Sequence, residues 1–197
     1  MRDPYTDENG VLRNKLQCET QKELDELEKM VTFTRIVELQ EEPIKGNYDL
    51  KHLKKIHEYI FQDIYDWAGK IRTVDISKGQ TMFCPTENIE SYGQTIFEQL
   101  KEAKYLKGMD MYDFCKKGAY YLGEINMIHP FREGNGRTQR EFMKSLAQNA
   151  GYELNFKYIS ENQMKAASIR SAAIDSKGLY DILKNSITNQ KQRSRSR

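Results

Sequence analysis

Three cysteines, four prolines, three histidines and one tryptophan are all that 197 residues carry of the types that staple, break, switch or anchor a chain. Cys18, Cys84 and Cys115 are far apart and lack C-x-x-C spacing, which argues against a disulfide framework and against a cysteine zinc site. Thiols kept apart in this way suit the reducing cytosol. No apolar run approaches the roughly 20 residues that a membrane-spanning helix needs, and Met1-Arg2-Asp3-Pro4-Tyr5 has no signal-peptide apolar core. The expected place of action is therefore the cytoplasm, either the cell's own or that of a cell into which the protein is delivered. A dominant charge is missing too: 31 lysines and arginines face 29 aspartates and glutamates, and part of the excess sits in Lys191, Arg193, Arg195 and Arg197. A near-neutral body argues against broad duplex-DNA binding, which needs a basic face. No internal repeat is visible.

What remains, 38% hydrophobic and 30% charged, is the composition of one globular domain long enough to bury a core. The expected organisation is an N-terminal arm over 1–18, a domain over 19–188 and a disordered basic tail over 189–197. Leu24, Leu27, Val31, Ile36, Val37 and Leu39 have helical spacing up to Pro43. Asp49 can cap a helix bearing Leu50, Leu53, Ile56, Ile60, Phe61 and Ile64, with Gly69 after Trp67-Ala68 as its stop. Ile71, Thr73, Val74 and Ile76, the turn Ser77-Lys78-Gly79-Gln80 and then Thr81-Met82-Phe83 read as a short β-hairpin over 71–85. Thr86 and Asp110 are caps for two more helices. The second carries Tyr112, Cys115, Ala119, Leu122, Ile125 and Ile128 and ends at His129. Arg137–Ala150 is helical with Gly151 as its stop, Ser160 and Gln163 form a capping box, and Leu179–Ile187 is a last short helix. The fold class is mainly α with one hairpin.

The densest chemistry lies in His129-Pro130-Phe131-Arg132-Glu133-Gly134-Asn135-Gly136-Arg137-Thr138-Gln139-Arg140. Free N–H groups at a helix start bind anions, and glycines let phosphate oxygens approach the backbone. Gly134-Asn135-Gly136 is thus an anion hole, with Asn135 able to add an amide donor. Arg137 and Arg140 share a helix face and offer two forks to further phosphates. Glu133 is placed to hold Mg²⁺ together with phosphate oxygens. His129 can take a proton from a hydroxyl at neutral pH. These parts describe attack by a hydroxyl on a metal-bound phosphoryl group.

H-P-F-x-E-G-N-G-R-x-x-R resembles the signature of the Fic family of protein AMP-transferases. Val11-Leu12-Arg13-Asn14-Lys15-Leu16 resembles the family's N-terminal arm, and Trp67-Ala68-Gly69-Lys70-Ile71-Arg72 the entry to its flap, so that residues 10–188 are covered. The resemblance implies a helical bundle with a β-hairpin flap over the active site. It implies transfer of AMP from ATP to a tyrosine, serine or threonine hydroxyl of a target protein, with pyrophosphate leaving. His129 would be the base and Glu133 the Mg²⁺ ligand. Gly134, Asn135, Gly136, Arg137, Thr138, Gln139 and Arg140 would bind the nucleotide, with Arg137 on the β-phosphate, Arg140 on the γ-phosphate and Phe131 anchoring the loop. Lys78, Gly79, Gln80 and Thr81 at the flap would cover the nucleotide, and the target would dock along 71–85 by strand addition. Adenine contacts are expected from the helix after Ser160.

Family members are commonly held inactive by a helix carrying [S/T]-x-x-x-E-[G/N], whose glutamate pairs with the second motif arginine. Here Thr34–Glu38 continues with Leu39 and Thr86–Glu90 with Ser91, so neither matches in full. The chain resembles toxins inhibited by a separate small antitoxin, whose glutamate would reach Arg140. Two alternatives stand beside this: a non-catalytic nucleotide-sensing or protein-binding module, and transfer of a different phosphate-containing group. Fic-fold kinases carry lysine at the position of Gly136, which argues against kinase chemistry. His52 and His57, five apart, do not share a helix face and read as surface or packing residues. Cys84 reads as an inert thiol, and Lys78 is as much a solvated turn lysine as a ligand.

Overall fold

The computed structural model describes residues 3–79 and 81–189. Among these, seven α-helices and one two-residue hairpin follow an extended arm. Thr20 accepts the Glu23 N–H and opens α1 (Gln21–Glu41). Its inward face is Leu24, Glu28, Thr32 and Leu39, while Val37, expected inward, is 38% exposed. Two polar residues therefore occupy a stripe expected to be apolar, and their partners lie in the site described below.

Asp49 accepts the His52 N–H at 2.7 Å and caps α2 (Leu50–Phe61). The helix ends eight residues before Gly69, not at it. The Ile64 and Tyr65 N–H groups both return to the Phe61 carbonyl, and Lys15 of the arm donates its N–H to the Ile64 carbonyl, so the chain leaves the helix axis. Gly69 instead makes a left-handed turn, φ 75°, that brings its N–H onto His57 Nδ1 at 2.8 Å.

The hairpin is shorter than expected: β1 (Ser77–Lys78) pairs antiparallel with β2 (Thr81–Met82), in the register Ser77 with Met82 and Lys78 with Thr81. The legs below are not strands because the guanidinium of Arg72 takes the carbonyls of Val74 and Cys84 that a ladder would use. Thr86 makes no side-chain cap; its N–H donates to Asp75, and a 3₁₀ turn over Thr86–Asn88 precedes α3 (Ile89–Glu102).

Asp110 accepts the Asp113 N–H and caps α4 (Met111–Ile128), the central helix, which packs against α3, α5 (Asn135–Ala150), α6 (Glu161–Ala173) and α7 (Lys177–Ser186). Cys115, Ala119, Leu122, Ile125 and Ile128 are buried as expected, but Tyr112, in the first turn, is 58% exposed. Phe142, Met143, Leu146 and Ala147 of α5 complete the core, Gly151 ends α5 in a left-handed cap, and the Ser160–Gln163 capping box forms in full. Of the tail expected over 189–197, Asn189 is held by accepting the Glu153 N–H at 2.6 Å, and residues 190–197 lie outside the described residues. None of the described helices is long and apolar enough to cross a membrane.

Because α4 delivers His129 from its far end, the cap at its near end affects stability without touching the site. Asp110→Ala is expected to lower unfolding free energy by about 1 kcal/mol, read as a lower urea midpoint at an unchanged slope; an unchanged midpoint would remove the cap's role.

Candidate active site

The end of α4 and the start of α5 meet at the floor of a cavity of about 470 Å³. His129 is the C-cap of α4 in the left-handed conformation, φ 42° and ψ 59°. Its Nδ1 lies 3.0 Å from the Asn126 carbonyl, an acceptor only, so Nδ1 carries the hydrogen and Nε2 keeps its lone pair. Phe83, at the foot of the flap, stacks on the imidazole with centroids 3.7 Å apart. Burial pushes the ring's pKa down to about 4; the Asn126 contact opposes this, and Arg72 and Lys78 add to it. His129 is thus a neutral imidazole at physiological pH, with Nε2 able to accept a proton.

Gly134 begins α5 at φ 82°, with no side-chain cap. A Cβ there would meet Phe61 Cζ at 2.2 Å, so both conformation and space require glycine. The first helical bond runs from Thr138 N–H to the Gly134 carbonyl. Among the described residues, the N–H groups of Asn135, Gly136 and Arg137 have no acceptor. Most helix starts are capped by serine, threonine or aspartate; this one leaves its leading amides and its dipole open, an arrangement able to hold an anion.

Several motif side chains are taken up in supporting the loop. Asn135 accepts the Phe131 N–H at 3.0 Å and donates to the Phe131 carbonyl at 2.7 Å, which occupies the amide expected to reach phosphate. Thr138 is fully buried and donates its hydroxyl to the Gly134 carbonyl. Arg137 does not line the cavity: its guanidinium lies over the Phe61 ring and binds Glu28 and Thr32 of α1. Gln139 and Arg140 do line it. Arg140 makes no ion pair or hydrogen bond with any described residue, and burial, then Arg137, lowers its pKa. Glu133 lies on the rim, half exposed, with its Oε1 accepting the Gly134 N–H at 2.8 Å. Lys78 and Thr81 of the flap reach the cavity, Gly79 turns the hairpin at φ 62° without lining it, and Gln80 lies outside the described residues. The opposite wall is α6: Glu161, Met164, Lys165, Ser168 and Ile169.

Three supporting residues escaped the sequence reading. His57 is fully buried, stacked on Phe131 with centroids 3.8 Å apart, and its Nε2 contacts the Glu133 carbonyl at 3.0 Å. Since Nδ1 accepts from Gly69, Nε2 must be the donor, and burial pushes this pKa down to about 3. Glu28 binds both Arg137 and the Tyr65 hydroxyl; its only sequence signal was an acid four residues after Leu24, on the inward face. Arg72, quoted only as part of the flap entry, is 2% exposed and holds the His129 carbonyl. Cys84 is half-buried, and burial raises its pKa, away from thiolate reactivity.

Comparison with known proteins agrees with this geometry. The Fic/DOC family pattern matches residues 47–147. Protein adenylyltransferase VbhT of Bartonella schoenbuchensis is 42% identical over 94% of this chain, which spans 39% of that protein's length. A probable protein adenylyltransferase Fic of Escherichia coli is 37% identical over 92% of this chain and 90% of its own. The N-terminal Fic domain of a VirB-translocated Bep effector from Bartonella quintana, solved with bound ADP, superposes with a TM-score of 0.88 at 27% identity, covering 95% of each chain. The chain belongs to the Fic/DOC family, and its helical bundle with a hairpin flap is the fold of that family's solved domains.

His57, His129 and His52 are all held neutral by burial. Each binds its proton more weakly folded than unfolded, so the stability they contribute is full above about pH 6.5 and is lost as pH falls below it, by up to about 1.4 kcal/mol per pH unit for His57 and for His129, whose folded values lie at about 3 and about 4. Urea midpoints at pH 7, 6 and 5 should fall in step, and His57→Gln should flatten the slope. A pH-independent midpoint would contradict the burial of these rings.

Proposed function

We propose that the protein transfers AMP from ATP to a hydroxyl side chain of a target protein. The observation that carries this is the convergence, in one cavity, of a neutral imidazole with a free Nε2 and a helix start whose three leading N–H groups lack acceptors among the described residues. The relatives' names as adenylyltransferases support the same chemistry. His129 Nε2 accepts the proton of the attacking hydroxyl, and the oxygen forms a bond to the α-phosphorus while the bond to pyrophosphate breaks. The α5 amides and dipole stabilise the charge that develops on the phosphate oxygens. Arg140 faces the outer phosphates; Arg137 adds a second cation only by exchanging Glu28 for phosphate.

Among the described residues no cluster of three or more histidines, cysteines, aspartates and glutamates stands ready for a metal. One rim carboxylate, Glu133, fits Mg²⁺, which takes one or two carboxylates plus phosphate oxygens. Such an ion would neutralise charge between the phosphates. The base of the nucleotide rests against α6, and the target chain lies along β1 and β2, where exposed Met82 offers an apolar contact.

For regulation we favour inhibition by a separate small protein. Glu38 is already engaged by Arg35 and Tyr59, so the one internal T-x-x-x-E on α1 is occupied, and Arg140 has no described partner. A toxin held by such an antitoxin, acting in the cytoplasm of its own or a recipient cell, follows from that reading. Equal activity with and without the small protein encoded beside it would refute it.

Incubation with a bacterial lysate and ATP labelled at either the α- or the γ-phosphate separates the alternatives. Protein labelling from the α-position alone is expected, abolished by EDTA and reduced at least about 100-fold by His129→Ala. Labelling from the γ-position would establish kinase chemistry instead, and undiminished labelling by His129→Ala would end the catalytic reading. Nucleotide binding without labelling would establish the sensing module.

A further inference from the structure

Arg72 stands at the foot of the flap, buried, with a guanidinium whose N–H donors all need acceptors away from water. They find them on the main chain of three separate segments. Nε donates to the His129 carbonyl at 2.9 Å, Nη1 to the Val74 carbonyl at 2.8 Å, and Nη2 to the Cys84 carbonyl. Asp75, 3.6 Å from Nη1, offsets the charge. The backbone N–H of Arg72 donates to the Pro130 carbonyl, and that of Cys84 to the Met127 carbonyl, both at 2.9 Å. Val74 lies in one leg of the flap and Cys84 in the other, so a single planar group joins both legs to the peptide that carries the base.

His129 needs such a hold. A carbonyl beyond the last turn of a helix has no helical donor, and a left-handed backbone is costly for a residue with a side chain. The flap needs one too, because its ladder is only two residues long on each side. Phe83, beside Cys84, carries the link onward to the imidazole face. We propose that Arg72 is a positioning residue that transmits the position of the flap to His129, so that a polypeptide laid along the hairpin sets the orientation of the base. This rests on the reading of His129 as the base. A lysine, with a point charge and no planar fork, could not hold three carbonyls in this way.

The test uses the whole protein with ¹⁵N-labelled histidine, whose three rings are separately observable by NMR and assigned with His129→Ala. In the unaltered protein at neutral pH, His129 should show hydrogen on Nδ1 and His57 hydrogen on Nε2. In Arg72→Lys and Arg72→Gln, His129 should move to the averaged signals of a mobile neutral ring while His57 stays, with the thermal midpoint within about 5 °C. α-Phosphate labelling should fall at least about tenfold, with affinity for a fluorescent ATP analogue within about twofold. An unmoved His129 ring with labelling retained would overturn the proposal, as would His57 and His129 shifting together, the mark of a general structural role. A His129 tautomer change with labelling intact keeps the Arg72 link and overturns the base assignment instead. Should both variants fail to fold, exchange of the Arg72 Nε–H in the unaltered protein decides: protection like that of core amides supports the link, and exchange as fast as that of exposed arginines overturns it.

Discussion

Two left-handed residues five positions apart set the geometry on which the rest depends: His129 at φ 42° and Gly134 at φ 82°. The first turns the chain off α4 so that an imidazole stands at the cavity floor. The second starts α5 without a capping side chain, so that its leading amides face the same space. Between them Phe131 is buried against His57, and Asn135 closes the loop onto the Phe131 backbone in both directions. Both turns are held by residues from outside the loop. His57 holds the Glu133 carbonyl, Arg72 holds the His129 carbonyl, and Phe61 fills the space that any Cβ at residue 134 would need.

Charge is arranged to a matching end. Arg137 is neutralised by Glu28, whose other oxygen accepts the Tyr65 hydroxyl, so one motif arginine ties α5 to α1. Breaking one partner of such a shielded pair costs on the order of 3 to 5 kcal/mol, which makes it an anchor for the loop. Arg140, three residues on, has no such partner among the described residues, and its charge and the open helix start are left for an incoming anion. A partly buried cation without a direct ion pair among the described residues, beside open amides, favours a multiply charged ligand over a neutral one.

Much of this was legible in the residues because its signals are local. Asp49, Asp110 and the Ser160–Gln163 pair announced helix starts, Gly151 announced a stop, and the glycines after Glu133 announced an uncapped helix start; each signal acts within one helical turn. What was not legible depends on partners far away in sequence. The end of α2 at Phe61 reflects a bond from Lys15, and the shortened flap reflects the guanidinium of Arg72 reaching across from its base. Glu28 and Thr32 looked like gaps in an apolar stripe, because the arginine they bind lies more than 100 residues on. The packing role of His57 was expected, but its grip on the Glu133 carbonyl follows only from Phe131 and Gly69 converging on one ring.

The central claim is that this loop moves one nucleotide monophosphate onto a protein side chain. An intact-mass and peptide mass spectrum of lysate proteins after incubation with ATP tests it most directly, since it reads the transferred group and the acceptor at once. The account predicts an added mass of one AMP residue on a tyrosine, serine or threonine, absent with His129→Ala. An added mass of a bare phosphate, or no adduct on any protein while ATP is bound, would contradict it.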